Sequence, residues 1–148
     1  MNDNAVDILL VEDRAEDAEL TMMALEQHHI SNKIIWVKDG QEALDYLFCK
    51  GQYADRVDTA IPKLVLLDLN MPKVGGIEVL KQIRNNPVTK KITVVILTTS
   101  KEEYDISTAY EIGVNSYIVK PVQFSDFTET VKNLGMYWLL LNQHPTKR

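Results

Sequence analysis

The sequence has a single cysteine, Cys49, among its 148 residues, which excludes an internal disulfide and any cysteine-based metal cluster. No apolar stretch approaches the ~18 residues that a membrane span needs. The N-terminal Met1-Asn2-Asp3-Asn4 is too polar for a signal or transit peptide. Basic residues are scattered through a chain of net charge −5, so no basic stripe is available for the phosphates of a nucleic acid. We therefore expect a cytoplasmic protein that binds neither membranes nor nucleic acids.

The composition is that of an ordinary globular protein, with 45% hydrophobic and 25% charged residues. A chain of this length is long enough to bury one core. It has no internal repeat, low-complexity tract or linker. We expect one domain over residues 1–148, with a polar tail from about 143 to 148 and no separate output domain.

Short apolar runs rich in Ile, Val and Leu indicate strands that are buried on both faces of a parallel sheet. They are predicted at about 7–12, 33–38, 63–68, 92–98 and 115–119. Amphipathic helical patterns fill the intervals between them. This alternation predicts an α/β fold of βαβ units, with right-handed crossovers and helices on both sides of the sheet.

Local signals mark where several of these helices begin and end. Asp39-Gly-Gln-Glu42 and Ser100-Lys-Glu-Glu103 have the spacing of capping boxes, which predicts that the second and fourth helices begin there. Asn85-Asn86-Pro87 predicts the end of the third helix. Gly113 is predicted to terminate the fourth in a left-handed conformation.

Charged and hydroxyl side chains follow four of the predicted strands. Glu12-Asp13 follows the first, Asp68 the third, Thr98 the fourth and Lys120 the fifth. The carboxyl ends of parallel strands meet at one edge, where ligands of such sheets bind. Carboxylates about 4 Å apart repel by roughly 4 kcal/mol at an effective dielectric near 20, so this cluster needs a cation. Mg²⁺, or Mn²⁺ in its place, suits oxygen ligands and phosphoryl groups. Any one of these residues alone is more often a cap, a turn former or a surface lysine; the set indicates a phosphorylation switch.

This pattern resembles the receiver domain of the two-component response-regulator family. The residues that carry the resemblance are Glu12-Asp13, Asp68, Met71-Pro72, Gly75-Gly76, Thr98, Tyr117 and Lys120-Pro121. It implies a flavodoxin-like (βα)5 fold, a doubly wound five-stranded sheet of strand order 2-1-3-4-5. More narrowly, the chain is similar to stand-alone regulators partnered with phytochrome-type histidine kinases, in Leu66–Pro72, Leu97–Ser100, Tyr110, Asn115–Val122 and Tyr137-Trp138-Leu139.

The resemblance implies that Asp68 accepts a phosphoryl group from a phosphohistidine of a sensor kinase and becomes an aspartyl phosphate. Asp13 would hold Mg²⁺ directly and Glu12 directly or through water. Asp68 would supply a further oxygen, and Asn70 its backbone carbonyl. The chain would then be a phosphoacceptor with Mg²⁺-dependent self-phosphorylation and self-dephosphorylation, and not an enzyme acting on other substrates.

The family also implies how the phosphoryl group is bound and sensed. Lys120 would contact its oxygens as a point charge, aimed by a cis peptide bond before Pro121. The Thr98 hydroxyl would move to the phosphoryl group, and Tyr117 would rotate into the vacated space. The signal would leave through the surface of the fourth helix, fifth strand and fifth helix.

The last helix carries more apolar residues than packing on the sheet requires. The last predicted helix carries Phe124, Phe127, Val131, Leu134, Trp138 and Leu141, and all of these except Phe124 are predicted to form an inward stripe. Met136, Tyr137, Leu139 and Leu140 leave the final turns apolar nearly all round, which is typical of a helix buried on every side. We expect these four residues to form an interface in a homodimer through the surface of the fourth helix, fifth strand and fifth helix.

Three other functions on such a fold are less compatible with the sequence. An FMN or nucleotide binder needs a loop rich in Gly, Ser or Thr after the first strand, where this chain has the acidic run 12–17. A phosphatase of the haloacid-dehalogenase type needs a second aspartate at position 70, which is Asn70. A constitutive binding module would not need Asp68, Thr98 and Lys120 together.

Overall fold

The computed structural model describes residues 7–27, 33–56 and 61–141, of which Leu140 and Leu141 are described in their backbone alone. Five strands run through it: β1 (Ile8–Val11), β2 (Ile34–Val37), β3 (Leu64–Leu67), β4 (Thr93–Thr98) and β5 (Ser116–Val119). The α-helices are α1 (Ala15–Gln27), α2 (Gly40–Leu47), α3 (Gly76–Arg84), α4 (Glu103–Ile112) and α5 (Phe124–Gly135). A 3₁₀ turn follows α2 at Gly51–Tyr53, and a π-helical segment, Met136–Leu141, follows α5.

The strands pair in parallel in the order β2-β1-β3-β4-β5, which confirms the predicted fold class and sheet order. Successive residues of a strand face opposite sides of the sheet. Leu9 and Val11 accordingly belong to a core shared with α2, α3 and α4, while Ile8 and Leu10 belong to a core shared with α1 and α5. Because helices cover both faces, the central strands are apolar without interruption.

The strand register brings the carboxyl ends of the central strands together. Val11 of β1 lies beside Leu67 of β3, and the Asp68 N–H continues this pairing with a 3.1 Å hydrogen bond to the Val11 carbonyl oxygen. The Glu12 N–H donates in the same way to the Val37 carbonyl of β2, at 3.1 Å. The first residues after β1 and β3 therefore share one edge of the sheet. In the described parts of the chain, no helix is long and apolar enough to cross a membrane.

Two of the predicted helix signals are confirmed in atomic detail. The Asp39 carboxylate accepts a 2.8 Å hydrogen bond from the Glu42 N–H and caps α2. Gly113 ends α4 with φ 118°, a left-handed conformation that glycine adopts without steric penalty. The third helix ends at Arg84, just before Asn85, as the sequence predicts.

The capping box predicted at Ser100 is wrong. Helix α4 begins at Glu103, its N-cap is Glu102, and no side chain caps it. Ser100 lies two residues earlier, where its hydroxyl donates to the Asp105 carboxylate at 2.7 Å. A carboxylate is a stronger acceptor than a neutral oxygen, and Ser100 is also tied to β5, because its carbonyl accepts a 3.0 Å hydrogen bond from the Tyr117 hydroxyl.

The predicted cis peptide bond at Pro121 is also wrong, because no peptide bond in the described residues is cis. The trans form of an X–Pro bond is favoured by about 0.5–1 kcal/mol unless its surroundings oppose it. Lys120 does not need a cis bond to enter the sheet edge. Its N–H donates to the Thr98 carbonyl at 2.7 Å, and its side chain is buried there.

The inward stripe of the last helix is confirmed for Phe127, Val131, Leu134 and Trp138, which belong to the core shared with α1 or pack against it. Phe124, the first residue of α5, is 61% exposed. The π-helical segment has a wider turn than an α-helix, so both Trp138 and Leu139 pack partly against the core shared with α1. Leu139 therefore does not face outward as predicted.

Met136 and Tyr137, also predicted at the interface, are 37% and 49% exposed. The side chains of Leu140 and Leu141 and the polar tail lie outside the described residues.

Candidate functional site

Three carboxylates meet at the carboxyl edge of the sheet. Glu12, Asp13 and Asp68 each offer an oxygen within 4.8 Å of the others. Glu12 and Asp68 are buried, whereas Asp13 is exposed and leaves the cluster open on one side. A set of hard carboxylate oxygens with an open side suits Mg²⁺ or Mn²⁺, which retain waters and accept a further oxygen from a phosphoryl group.

Glu12 is the most constrained of the three. Its carboxylate accepts hydrogen bonds from the Lys120 ammonium at 2.8 Å and the Arg14 N–H at 3.1 Å. Its carbonyl oxygen accepts a 2.7 Å hydrogen bond from the Trp36 indole. Burial raises the pKa of Glu12 to about 7; the Lys120 ammonium opposes this, and the charge of Asp68 adds to it.

Asp68 presents one free oxygen to solvent. Its Oδ1 accepts a 2.8 Å hydrogen bond from the Leu69 N–H, which fixes the carboxylate plane. Within the described residues, no group donates to Oδ2. Asp68 and Asp13 line an open cavity of about 620 Å³, together with Asn70, Thr99 and Lys120. The carboxylate is thus held in place with one oxygen that accepts no hydrogen bond from the described residues.

Helix α3 can approach Asp68 closely because residue 76 is glycine. A Cβ atom at Gly76 would lie 2.3 Å from the Asp68 carbonyl oxygen and 2.7 Å from the Leu69 Cα atom. The Gly76 N–H donates instead to the Leu69 carbonyl at 2.9 Å. Gly76 therefore allows α3 to pack directly against the backbone of Asp68.

Lys120 reaches across the sheet edge to the acidic residues of β1 and α1. Its side chain is 5% exposed, and its ammonium lies 2.8 Å from a Glu12 oxygen and 2.7 Å from an Asp17 oxygen. Burial alone would lower the pKa of Lys120, but the bonds to Asp17 and Glu12 and the charge of Asp68 outweigh it, and the pKa is raised. Among the described residues, the ammonium forms ion pairs with these two carboxylates and not with Asp68.

Asp17 is a site residue that the sequence reasoning missed. It lies in the first turn of α1, where a carboxylate suits the helix dipole. The sequence showed it only as part of the acidic run 12–17. Because Lys120 is 103 residues away, no local spacing signals the contact.

Thr98 and Tyr117 are attached to the same loop. Thr98 is fully buried, and its hydroxyl oxygen lies 3.4 Å from the Ser100 N–H, which donates to it. The Tyr117 hydroxyl donates to the carbonyl oxygen of Ser100. Burial raises the pKa of Tyr117. Thr99, which the sequence did not single out, lines the cavity on this side. A movement of Thr98 would therefore act on the loop that also holds Tyr117.

These features are those of a receiver domain, and comparison with known families agrees. The chain matches the model of the response regulator receiver domain over residues 8–132. It belongs to this family.

Two individual regulatory proteins are similar to this chain over most of its length. The chain is 44% identical over 138 residues to the probable methanogenesis regulatory protein FilR2 of Methanothrix harundinacea, covering 93% of this chain and 86% of that one. It is 40% identical over 132 residues to response regulator Rcp1 of Synechocystis, covering 89% and 88%.

Two solved structures are also similar. One is the phosphorylated cyanobacterial phytochrome response regulator RcpA, with a TM-score of 0.88, 39% identity and coverage of 96% of this chain and 99% of that one. The other is the Mn²⁺-bound form of Rcp1, with a TM-score of 0.88, 38% identity and coverage of 95% and 99%. The chain is thus similar to phytochrome response regulators over nearly its whole length.

Proposed function

We propose that this chain is a phosphoacceptor switch in which Asp68 receives a phosphoryl group from a sensor histidine kinase of the phytochrome type. The observation that carries the proposal is the free Asp68 Oδ2 beside two further carboxylates and a buried ammonium. Oδ2 forms the new bond to phosphorus, and the bond from phosphorus to the kinase histidine breaks, with its electron pair remaining on the ring nitrogen. The similarity to RcpA, a cyanobacterial phytochrome response regulator, supports the choice of donor.

In this proposal Glu12, Asp13, Asp68 and the backbone carbonyl of Asn70 hold Mg²⁺ or Mn²⁺. The donor set supports it, and a Mn²⁺-bound form is known for Rcp1. The bound cation supplies positive charge that offsets the charge of the transferring phosphoryl group. The Leu69 N–H holds the Asp68 carboxylate in place with its second oxygen available, whereas the Glu12 carboxylate also binds Lys120 and the Arg14 N–H.

Lys120 and Thr98 would bind the phosphoryl oxygens, and the Tyr117 side chain would rotate in response to phosphorylation. A shift of a two-state equilibrium from 1:99 to 99:1 needs about 5.5 kcal/mol. Two hydrogen bonds to a charged group, at about 1.5–3 kcal/mol each, approach this value. The Ser100 contacts couple Thr98 to Tyr117, so both residues would respond together.

The signal would leave through the α4-β5-α5 surface, on which the chain would form a homodimer in the cytoplasm. Exposed apolar and aromatic side chains support this: Tyr104 and Tyr110 on α4, and Met136 and Tyr137 after α5. In this proposal residues 1–148 act as one receiver domain whose own surface passes on the signal. The mass in solution, with and without beryllofluoride, tests the dimer, and a Tyr137→Glu variant that keeps the dimer intact would contradict it.

The function is tested by incubation with Mg²⁺ and radiolabelled acetyl phosphate, or with a phytochrome-type kinase that carries labelled phosphohistidine. We expect label on the wild-type chain and none on Asp68→Asn. Asp126→Asn, which removes an exposed carboxylate on α5, is the matched control and should be labelled like wild type. Equal labelling of Asp68→Asn would refute the assignment of the acceptor. A kinase of another sensor class that transfers faster would refute the choice of donor.

A further inference from the structure

The ammonium of Lys120 is engaged away from Asp68 in this structure. It pairs with Glu12 at 2.8 Å and with Asp17 at 2.7 Å. The side chains of Lys120 and Glu12 are each 5% exposed and that of Asp17 is 22% exposed, so these contacts are screened little by water. Under the proposed function, Lys120 must bind a phosphoryl oxygen on Asp68. The positive charge and the three N–H donors of the ammonium then have to be shared between that oxygen and its present partners.

The two partners differ in what replaces Lys120 when it leaves. Glu12 is buried, but the proposed Mg²⁺ site includes it, so a cation compensates its charge. Asp17 lies nearer the surface and also pairs with a second cation. The Arg14 guanidinium is 3.5 Å from the Asp17 carboxylate oxygen that Lys120 contacts. Arg14 is itself 63% exposed and free to move closer. Lys120 can therefore leave Asp17 without leaving a buried carboxylate unpaired.

We propose that Asp17 is a positioning residue that competes with the phosphoryl group for the ammonium of Lys120 and so restrains phosphorylation of the resting chain. This inference rests on the proposed function. It assigns to Asp17 a role that the acidic metal cluster does not include. The first turn of α1 fixes Asp17 in place, since its carbonyl accepts a 2.7 Å hydrogen bond from the Thr21 hydroxyl.

The test variant is Asp17→Asn, which keeps the shape of the side chain and removes its charge. Glu16→Gln is the matched control. It removes the same charge one residue away, and Glu16 is 87% exposed, paired with Arg14 at 3.8 Å and not with Lys120. Asp17→Ser is a second variant that makes the conclusion independent of how the asparagine amide is oriented. Thermal unfolding in each case shows that the chain is folded.

The measurement is the dissociation constant of beryllofluoride, a phosphoryl mimic, in saturating Mg²⁺. Asp17→Asn and Asp17→Ser remove the charge-assisted hydrogen bond that competes for Lys120. Beryllofluoride should therefore bind these variants about three- to tenfold more tightly. Glu16→Gln should differ from wild type by less than about twofold, because an exposed charge is well screened. The dissociation constant of Mg²⁺ alone should not fall in Asp17→Asn. A residue that merely supported the fold would weaken both ligands when replaced.

Several results would overturn the inference. Unchanged or weaker beryllofluoride binding in Asp17→Asn would show that Asp17 does not compete for Lys120. An equal gain in beryllofluoride affinity in Glu16→Gln would show that the loss of any nearby negative charge has the same effect. An equal gain in Mg²⁺ affinity in Asp17→Asn would show that the substitution acts through the metal site. Binding by the wild-type chain with no change in the variants removes this inference alone. A wild-type chain that does not bind beryllofluoride removes the proposed function as well.

Discussion

Replacement of Lys120 by methionine is the substitution that tests the electrostatics of the site most directly, because it removes one buried cation from among several carboxylates. The methionine has a similar length and no charge. In the wild-type chain the ammonium offsets the charge of Glu12 at 2.8 Å and of Asp17 at 2.7 Å. Without it, Glu12 remains buried near Asp68 with only the Arg14 N–H as a donor to its carboxylate.

Removal of one partner from a buried ion pair costs about 3–5 kcal/mol. The loss here should fall near the lower end of that range, because Asp17 keeps Arg14 as a partner and Glu12 can take up a proton. We expect the free energy of unfolding without Mg²⁺ to fall by about 3 kcal/mol.

Mg²⁺ should bind more tightly to the variant, because it no longer competes with the ammonium. If they lie on the order of 6 Å apart in the dielectric of water, the two charges of Mg²⁺ and the one of Lys120 repel by about 1.4 kcal/mol. This corresponds to about tenfold in the dissociation constant of Mg²⁺. Saturating Mg²⁺ should therefore stabilise the variant by about 1.4 kcal/mol more than it stabilises the wild-type chain.

The assay is urea denaturation with EDTA and with a series of Mg²⁺ concentrations. Lys91→Met is the matched control, because Lys91 is exposed just before β4, at the opposite edge of the sheet. It should leave both the stability and the effect of Mg²⁺ unchanged. The reasoning is refuted if Mg²⁺ binds Lys120→Met no more tightly than wild type, since the ammonium would then not share the site with the metal.

Three further predictions concern the fold, one beside the site and two at the end of α2. Gly76→Ala should lower the free energy of unfolding in urea by about 1–3 kcal/mol, because its Cβ would meet the Asp68 backbone oxygen at 2.3 Å. Cys49→Gly should raise it by about 0.5–1 kcal/mol, since Cys49 has φ 58°, a left-handed conformation that glycine adopts without steric penalty. Tyr53 has its pKa raised to about 12 by burial and by its 2.7 Å hydrogen bond to Glu42, so Tyr53→Phe should remove the latest step of the tyrosinate absorbance titration. Because this pKa lies above the unfolded value, the Tyr53 contribution to stability is complete below about pH 10 and is lost as pH rises through about 12.

Each of these three predictions has a control variant or a result that would contradict it. Gly75→Ala should lose less than about 1 kcal/mol, its N-cap preference alone, because its Cβ would lie 3.6 Å from the nearest atom; equal losses at 75 and 76 would contradict the packing argument. Cys49→Ala keeps the backbone strain and should bring no gain. A titration curve of Tyr53→Phe with an intact late step would assign that step to another phenol.

The sequence predicts well those parts of the site that backbone geometry determines. Glu12, Asp13 and Asp68 follow strands, and strands of a doubly wound sheet end at one edge, so their meeting requires no knowledge of side-chain contacts. The cap at Asp39 and the left-handed Gly113 depend on neighbouring residues and are equally predictable.

The sequence predicts poorly what depends on long side chains and on competition between partners. The contact of Lys120 with Asp17 joins the end of β5 to α1, and many acceptors were available to a flexible ammonium. Ser100 matches a capping motif, but its hydroxyl bonds to Asp105 instead. The π-helical segment shifts the face of Leu139, and no local residue pattern signals that shift.

The most direct test of the account is the chemical identity of the modified residue. Borohydride reduction after incubation with acetyl phosphate and Mg²⁺ converts an aspartyl phosphate to homoserine, which peptide mass spectrometry locates. The account predicts homoserine at position 68 alone, and only when Mg²⁺ is present. Homoserine at Asp13 or at any other position, or an unmodified Asp68 in a chain that carries phosphate, would contradict it.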